Sequence, residues 1–407
     1  MSVEILSQLS DEDWDGANPM SLEFRDNPYP ALKHLRETAP VNQTPLGPWR
    51  ISRYADIVDV FKQAPTSMTL SDGSNPNFDP QDRRGSFREF MLNRDGEVHM
   101  RLRRLVVKAF TRRALGNIEQ EVDRTVGEAL DQGLADGGMD VIKDLALAVP
   151  SRMICRIMGV PEQDRLQFTE WTAARTNAFF AAFLPPDVVE RVRAAGVGMA
   201  DYFDRLVEER RNDLGDDLLS EMIRAEEDGD RLKPGELTVQ AIGLLVAGFE
   251  TTIGLIGNGI RSFIMNPAEY AKLRADPSLI DKAIEECLRY DTPILFNWRM
   301  LREPYEIGGI ELPADSILWL MLGSGNHDPE QYQRPDEFDI TREGGPPHLA
   351  FGGGEHYCLG HQLARIEARA AIGEFVRRVA APAIAESGVE WSPSFFRVLG
   401  SLPVCFR

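Results

Sequence analysis

Positive charge is scarce in this sequence: 45 Lys and Arg stand against 64 Asp and Glu in 407 residues, a formal net charge of −19. A general nucleic-acid binder is excluded, because phosphate contacts need a basic surface. Cysteine is scarcer still. Cys155, Cys287, Cys358 and Cys405 lie far apart and form no CxxC pair, which argues against a disulfide framework and a zinc knuckle. Any cysteine with chemistry must act alone. The first twenty residues hold neither a basic n-region nor an apolar h-region, so the expectation is a cytoplasmic protein with no secretory signal and no membrane anchor. Internal repeats and Ser/Gly- or Pro-rich linkers are also missing. Length alone suggests roughly two or three domains of about 150 residues, but with no linker to divide the chain, one domain over 1–407 is expected.

What is present is mainly helical. Apolar residues recur at three- and four-residue spacing over 54–64, 97–110, 114–135, 141–158, 186–212, 234–265, 277–291 and 360–379. Short strands are expected at 49–52, at 305–312 around a Gly308-Gly309 turn, at 317–321 and at 402–406. The fold class is therefore mainly α with small β-sheets. Two turn-rich connections, 65–95 and 323–357, interrupt the helices, and long loops in compact domains usually carry function. One run, 239–264, is apolar over a length that could span a bilayer. It contains Glu250, Asn258 and Arg261, has no basic flank and is rich in glycine. A helix apolar on every side then belongs in the middle of a large core.

The second connection ends in Phe351-Gly352-Gly353-Gly354-Glu355-His356-Tyr357-Cys358-Leu359-Gly360 and runs into the helix at 361–379. Consecutive glycines let a backbone pass close to a flat ligand. A cysteine at a helix start is poised to be a thiolate, because amide N–H groups and the dipole stabilise the anion. Such a thiolate is a nucleophile or an axial metal ligand; a plain buried cysteine beside a tight turn is the alternative.

This run resembles the haem-binding loop of the cytochrome P450 family, Phe-Gly-x-Gly-x-His-x-Cys-x-Gly, and matches it at Phe351, Gly352, Gly354, His356, Cys358 and Gly360. The resemblance implies haem b as cofactor, Cys358 as its axial thiolate, Phe351 packed beside it and His356 directed at a propionate. Ala247-Gly248-Phe249-Glu250-Thr251-Thr252 resembles the family's oxygen-activating stretch. Gly248 would leave room for dioxygen, and Glu250 and Thr251 would relay protons. Glu286 and Arg289 resemble the family's Glu-x-x-Arg pair, selected from several equally spaced pairs by the Tyr290, Pro293 and Arg299 that follow. Glu337-Phe338 follow Arg334-Pro335-Asp336 where many members place the arginine that completes this brace, which leaves Arg342 as the candidate third partner. His99, Arg103, Arg299 and His356 are the cations expected to hold the haem carboxylates.

By the same resemblance, Phe87, Phe90, Phe179, Phe180, Leu244, Gly248, Ile294, Phe296 and Phe395 line a substrate pocket. No charged residue is placed to anchor a carboxylate, so a hydrophobic substrate is expected: a terpenoid, aromatic hydrocarbon, steroid or fatty acid. Arg101, Arg103, Arg104, Lys108, Arg112 and Arg113 form a basic stretch without an acidic residue, a docking patch for an acidic electron donor or a solvated helix face. The implied function is a monomeric haem-thiolate monooxygenase using O2 and electrons from an iron-sulfur ferredoxin and its reductase. The alternatives are a haem sensor without turnover and a peroxygenase or dehydratase on the same scaffold.

Overall fold

Helix forms where apolar residues recur along one face, and the computed structural model describes residues 14–19, 21–84, 86–109, 118–227, 232, 235–392 and 394–406. The longer helices are α1 (Tyr29–Thr38), α2 (Tyr54–Lys62), α3 (Gly96–Ala109), α4 (Ile118–Asp136), α5 (Ala148–Ile157), α6 (Arg165–Thr176), α7 (Pro186–Asn212), α8 (Leu218–Glu227), α9 (Glu236–Met265), α10 (Pro267–Ala275), α11 (Ile280–Tyr290) and α12 (His361–Arg378). The stretch expected as one helix over 141–158 is two: a π-helical segment Val141–Ala146, capped by Asp140 Oδ1 accepting the Ile142 N–H at 3.0 Å, and then α5. The start of the helix expected over 114–135 lies outside the described residues.

Two compact units divide these elements. The smaller contains residues 72–121 and 150–250 of the described chain, and the larger 14–71, 122–149 and 251–406. In the smaller unit α7 packs on α6 and α8 on α3. Its long connection is tied down by ion pairs: Asp82 with the fully buried Arg175 of α6 at 2.6 Å, Asp79 with Arg193 of α7, and Arg84 with Asp201 and Asp204 of α7. Loops without their own hydrogen-bond ladder need such anchors to hold one conformation.

The strands of the described chain belong to the larger unit. β1 (Val41–Gln43), β2 (Trp49–Ile51), β3 (Thr66–Ser67), β5 (Asn297–Leu301) and β8 (Ile317–Leu320) form one sheet in the order β1-β2-β8-β5-β3, in which only β2 and β8 run parallel. β4 (Gly138–Asp140), β9 (Pro382–Ile384) and β12 (Pro403–Phe406) form a second, and β6 (Tyr305–Ile307) with β7 (Ile310–Leu312) a hairpin across Gly308-Gly309. β10 (Glu390–Trp391) pairs β11 (Leu399–Ser401). Ile51, Ile57, Leu301, Leu312, Leu318 and Leu320 close a core between the main sheet and α2. α12 packs on α10 and α11.

α9 is long and apolar enough to cross a membrane, but two thirds of its apolar window is buried within the protein. Its glycines explain how it packs. A methyl group on Gly259 would stand 2.7 Å from Ile372 of α12, and one on Gly257 would collide with Ile142. In the smaller unit, a methyl group on Gly243 would collide with the Phe90 ring. This helix is a core element whose small residues admit neighbours.

Candidate active site

The cysteine loop of the larger unit is shaped by its backbone. Gly352 and Gly354 have φ of +68° and +67°, a region that side chains resist. A methyl group on Gly353 would lie 2.7 Å from the Phe61 ring of α2, and one on Gly354 2.7 Å from the Phe61 carbonyl. The loop therefore lies flush on α2. The Cys358 N–H donates to the Phe351 carbonyl at 3.0 Å, and the Ala364 N–H donates to the carbonyl of Gly360, which caps α12. Cys358 thus stands just ahead of a helix N-terminus and is partly exposed, the setting that favours thiolate. Two other cysteines are in the opposite setting. Burial pushes the Cys155 thiol up to about 12 and the Cys287 thiol well above its ordinary range.

A group of charges that sequence reasoning missed surrounds Phe351. Glu285 of α11 accepts hydrogen bonds from Arg365 Nε at 2.6 Å and from its terminal nitrogen at 2.9 Å. That guanidinium lies 4.6 Å over the Phe351 ring. His348 Nε2 is 3.3 Å from the same carboxylate, and its ring is 5.5 Å from Phe351. Burial acts to raise the Glu285 carboxyl, but the bonds from Arg365 and the presence of His348 outweigh it and hold it at about 2. Two residues after Arg365 on α12, burial alone pushes the Glu367 carboxyl up to about 8.

The sign of the Glu367 effect is definite. Its carboxyl titrates near 4.5 when unfolded and near 8 when folded, so the unfolded chain releases a proton first and stability falls as pH rises between those values. Glu367→Gln should therefore leave stability at pH 5 nearly unchanged and raise it by about 4–5 kcal/mol at pH 9. Urea denaturation of both proteins across that range measures it, and parallel pH curves would refute it.

Arg299 of β5 is 4% exposed. It donates to the Trp298 carbonyl at 2.7 Å and to Asn297 Oδ1 at 3.3 Å, and lies 5.3 Å over Phe61. His356, its side chain also buried, sits 3.5 Å from Glu355. Arg299 thus lies beside Phe61, the ring against which the cysteine loop that carries His356 rests. Apolar Phe351, Leu359 and Leu363 keep accessible surface there, as a surface made for a flat apolar group would.

The brace is fully assembled. Glu286 accepts two hydrogen bonds from Arg289, each 2.8 Å, and Arg342 approaches the same carboxylate at 3.2 Å. Arg289 also donates to the carbonyls of Asn326, Pro335 and Glu337. Arg334 faces solvent and pairs with Glu337 and Asp339.

In the smaller unit His99 is buried on α3, its Nδ1 donating to the Met91 carbonyl at 2.8 Å. Arg103, one turn on, is half-buried. Gln240 of α9 holds the loop before α3 on both sides: its Oε1 accepts the Met91 N–H at 3.0 Å and its Nε2 donates to the Glu89 carbonyl at 2.9 Å. A glutamine inside an apolar run was the signal available for this clamp. Along α9 itself, Leu244, Ala247, Gly248 and Thr251 fall at i, i+3, i+4 and i+7 and keep accessible surface, as does Glu250, whereas Phe249 and Thr252 are buried. A methyl group on Gly248 would meet only Ile154, at 3.6 Å. That face has room beside it.

Several expected pocket residues are buried. Phe87, Phe90 and Phe179 are buried against one another, with Phe87 and Phe179 stacked at 4.9 Å and Arg175 4.6 Å over Phe87. Phe296 stacks on Trp319 at 4.8 Å. Leu244, Gly248, Ile294 and Phe395 keep accessible surface; the Phe180 side chain lies outside the description. The basic stretch is also smaller than expected. Arg101 pairs with Glu236 at 2.6 Å, Arg112 and Arg113 lie outside the described residues, and the exposed side chains of α3 are Glu97, Val98, Met100, Arg104, Val107 and Lys108.

Comparison with known proteins identifies this arrangement. A family profile described as cytochrome P450 matches residues 53–381. Cytochrome P450 107B1 of Saccharopolyspora erythraea is 38% identical over 346 residues, 82% of each chain. The cytochrome P450 monooxygenase PikC of Streptomyces venezuelae is 35% identical over 95% of this chain and 92% of its own. Among solved structures, P450BioI in complex with an acyl carrier protein ligated to hexadec-9Z-enoic acid superposes with a TM-score of 0.86 at 32% identity, covering 95% of this chain and 99% of that one.

Proposed function

The chain belongs to the cytochrome P450 family of oxidoreductases, and from that premise we propose that it inserts one oxygen atom of O2 into a hydrophobic small molecule, with electrons from an iron-sulfur ferredoxin and its reductase. The family implies a haem-thiolate cofactor, and the reading adopted for it is haem b. The residues fit such a group: a partly exposed cysteine at a helix start, a glycine loop flush on Phe61, apolar surface on Phe351 and Leu359, and buried Arg299 and His356 for the carboxylates. When bound, haem with an axial thiolate supplies dioxygen activation and O–O cleavage.

The chain's own residues divide the remaining work. Cys358 supplies the thiolate, and Phe351 packs beside it. His99, Arg103, Arg299 and His356 neutralise the cofactor's carboxylates. Thr251 Oγ1 would hold a water by hydrogen bonding, and the Glu250 carboxyl would pass protons toward it. Gly248 leaves the space for dioxygen. Leu244, Ile294 and Phe395 offer the substrate an apolar surface, and the exposed Arg104 and Lys108, interleaved with Met100 and Val107, receive the acidic ferredoxin. The protein is read as a cytoplasmic monomer.

The observation that carries this reading is the stripe on α9: an alcohol, an acid and a glycine keep accessible surface beside one another on a helix whose apolar window is two thirds buried, and polar groups in such a setting are costly without a task. The test supplies a surrogate ferredoxin, reductase and labelled dioxygen to the haem-loaded protein. One labelled oxygen atom in the product is expected. In Thr251→Ala, cofactor oxidation should continue while product falls by about tenfold or more. Product with peroxide but not with electron donors would replace the reading with a peroxygenase; oxygen consumption without product from any ligand would favour a sensor.

A further inference from the structure

We propose that Glu285 and Arg365 are a positioning pair that holds a guanidinium on the Phe351 ring and sets the reduction potential of the cofactor beside Cys358. The pair joins two helices of the larger unit. Consecutive residues on a helix point about 100° apart, so α11 turns Glu286 to the brace of Arg289 and Arg342 and the adjacent Glu285 to α12. Arg365 of α12 spends its donors in two directions. Nε and one terminal nitrogen reach Glu285 at 2.6 and 2.9 Å, and the other terminal nitrogen donates to His361 Nδ1 at 2.9 Å and to the His361 carbonyl at 3.2 Å. Held from both sides, the guanidinium lies 4.6 Å over the Phe351 ring, a contact that attracts cation to ring face. Phe351 in turn accepts the Cys358 N–H at 3.0 Å. The cation therefore touches both ends of the cysteine loop: the ring at its start and the histidine that opens α12.

Both partners are charged. Burial acts to raise the Glu285 carboxyl, but Arg365 and His348 hold it at about 2. The Ala350 N–H donates to His348 Nδ1 at 3.2 Å, so the neutral imidazole carries its proton on Nε2, which faces Glu285 at 3.3 Å. One cation and one anion thus stand in near balance beside the loop. One electron from the donor converts ferric to ferrous iron and adds negative charge beside Cys358, so a neighbouring cation favours the reduced form and a neighbouring anion the oxidised one. The Arg365 side chain is 20% exposed and that of Glu285 44%. Solvent therefore screens both charges, and removing either one shifts the equilibrium by a few-fold, not by orders of magnitude.

This deepens the reading above and rests on its haem-thiolate cofactor. Spectroelectrochemical titration of the haem-loaded, substrate-free protein tests it without turnover. Glu285→Gln leaves Arg365 unbalanced and should raise the ferrous-to-ferric ratio at a fixed potential by about threefold, about 28 mV at 59 mV per decade. Arg365→Gln leaves Glu285 unbalanced and should lower that ratio by about threefold. The double variant removes both charges and should return to within about 1.5-fold of wild type. Arg365→Lys keeps the charge and should shift the ratio by less than half as much as Arg365→Gln. A loosened loop would instead move both single variants in one direction and the double variant furthest; that pattern, or no shift in either single variant, would overturn the pair's role. The long-wavelength band of the reduced, carbon monoxide-bound wild type separates the two readings. Its absence would overturn the haem-thiolate reading and this inference with it, whereas its presence with same-direction shifts would overturn this inference alone.

Discussion

Cys358→Ala should fold, take up haem more weakly and lose the long-wavelength Soret band that thiolate ligation gives the reduced, carbon monoxide-bound protein. The fold is expected to survive because the loop is not held by the sulfur. Its shape comes from the Cys358 N–H on the Phe351 carbonyl, from Gly353 and Gly354 against Phe61, and from Arg365 over the Phe351 ring. An alanine leaves all of these intact. Electron donation from the thiolate is what favours O–O cleavage, so product formation should fall by about a thousandfold or more, equivalent to about 4 kcal/mol of barrier. Cys405, exposed on β12, supplies the control: Cys405→Ser should change neither spectrum nor rate. A Cys358→Ala protein that kept the long-wavelength band would remove Cys358 from its assigned role.

That loop was legible in sequence because its chemistry is local: glycines, histidine and cysteine fall within ten consecutive residues. The central helix was legible for a similar reason, as a long run that is almost continuously apolar. Groups whose meaning depends on a distant partner were not. Glu285 reads as half of an acidic pair until Arg365 and His348 are placed beside it. α6 was missed because its buried face is Phe168, Thr172, Arg175 and Thr176, so three polar residues occupy the positions where apolar periodicity is sought. β5 was missed because nearly all of it is buried, which erases alternation. The family resemblance suggested a pocket wall at Phe87, Phe90 and Phe179; the structure shows these rings buried against one another, with the Arg175–Asp82 pair beside them.

Glu286→Gln should be among the most destabilising single substitutions in the larger unit. The carboxylate is 4% exposed and faces two guanidinium groups, Arg289 at 3% and Arg342 at 11% exposed. Removing one charge from a buried network leaves its partners uncompensated, at a cost of about 3–5 kcal/mol. The amide would also lose acceptor capacity now used by the Asp339 N–H, which donates to Glu286 at 2.9 Å. Because Arg289 reaches the carbonyls of Asn326, Pro335 and Glu337, the damage should spread to the 323–357 connection that leads into the cysteine loop, and haem should dissociate faster. Two arginines discriminate this network from a general charge effect. Arg342→Ala removes a cation held on Glu286 and on the Gln333, Arg334 and Glu337 carbonyls, and should cost about 2–3 kcal/mol. Arg334→Ala removes an exposed cation from Glu337 and Asp339 and should cost less than about 1 kcal/mol. Chemical denaturation of the three variants gives the ordering; an Arg334→Ala loss equal to that of Arg342→Ala would assign the third place in the brace to the other arginine.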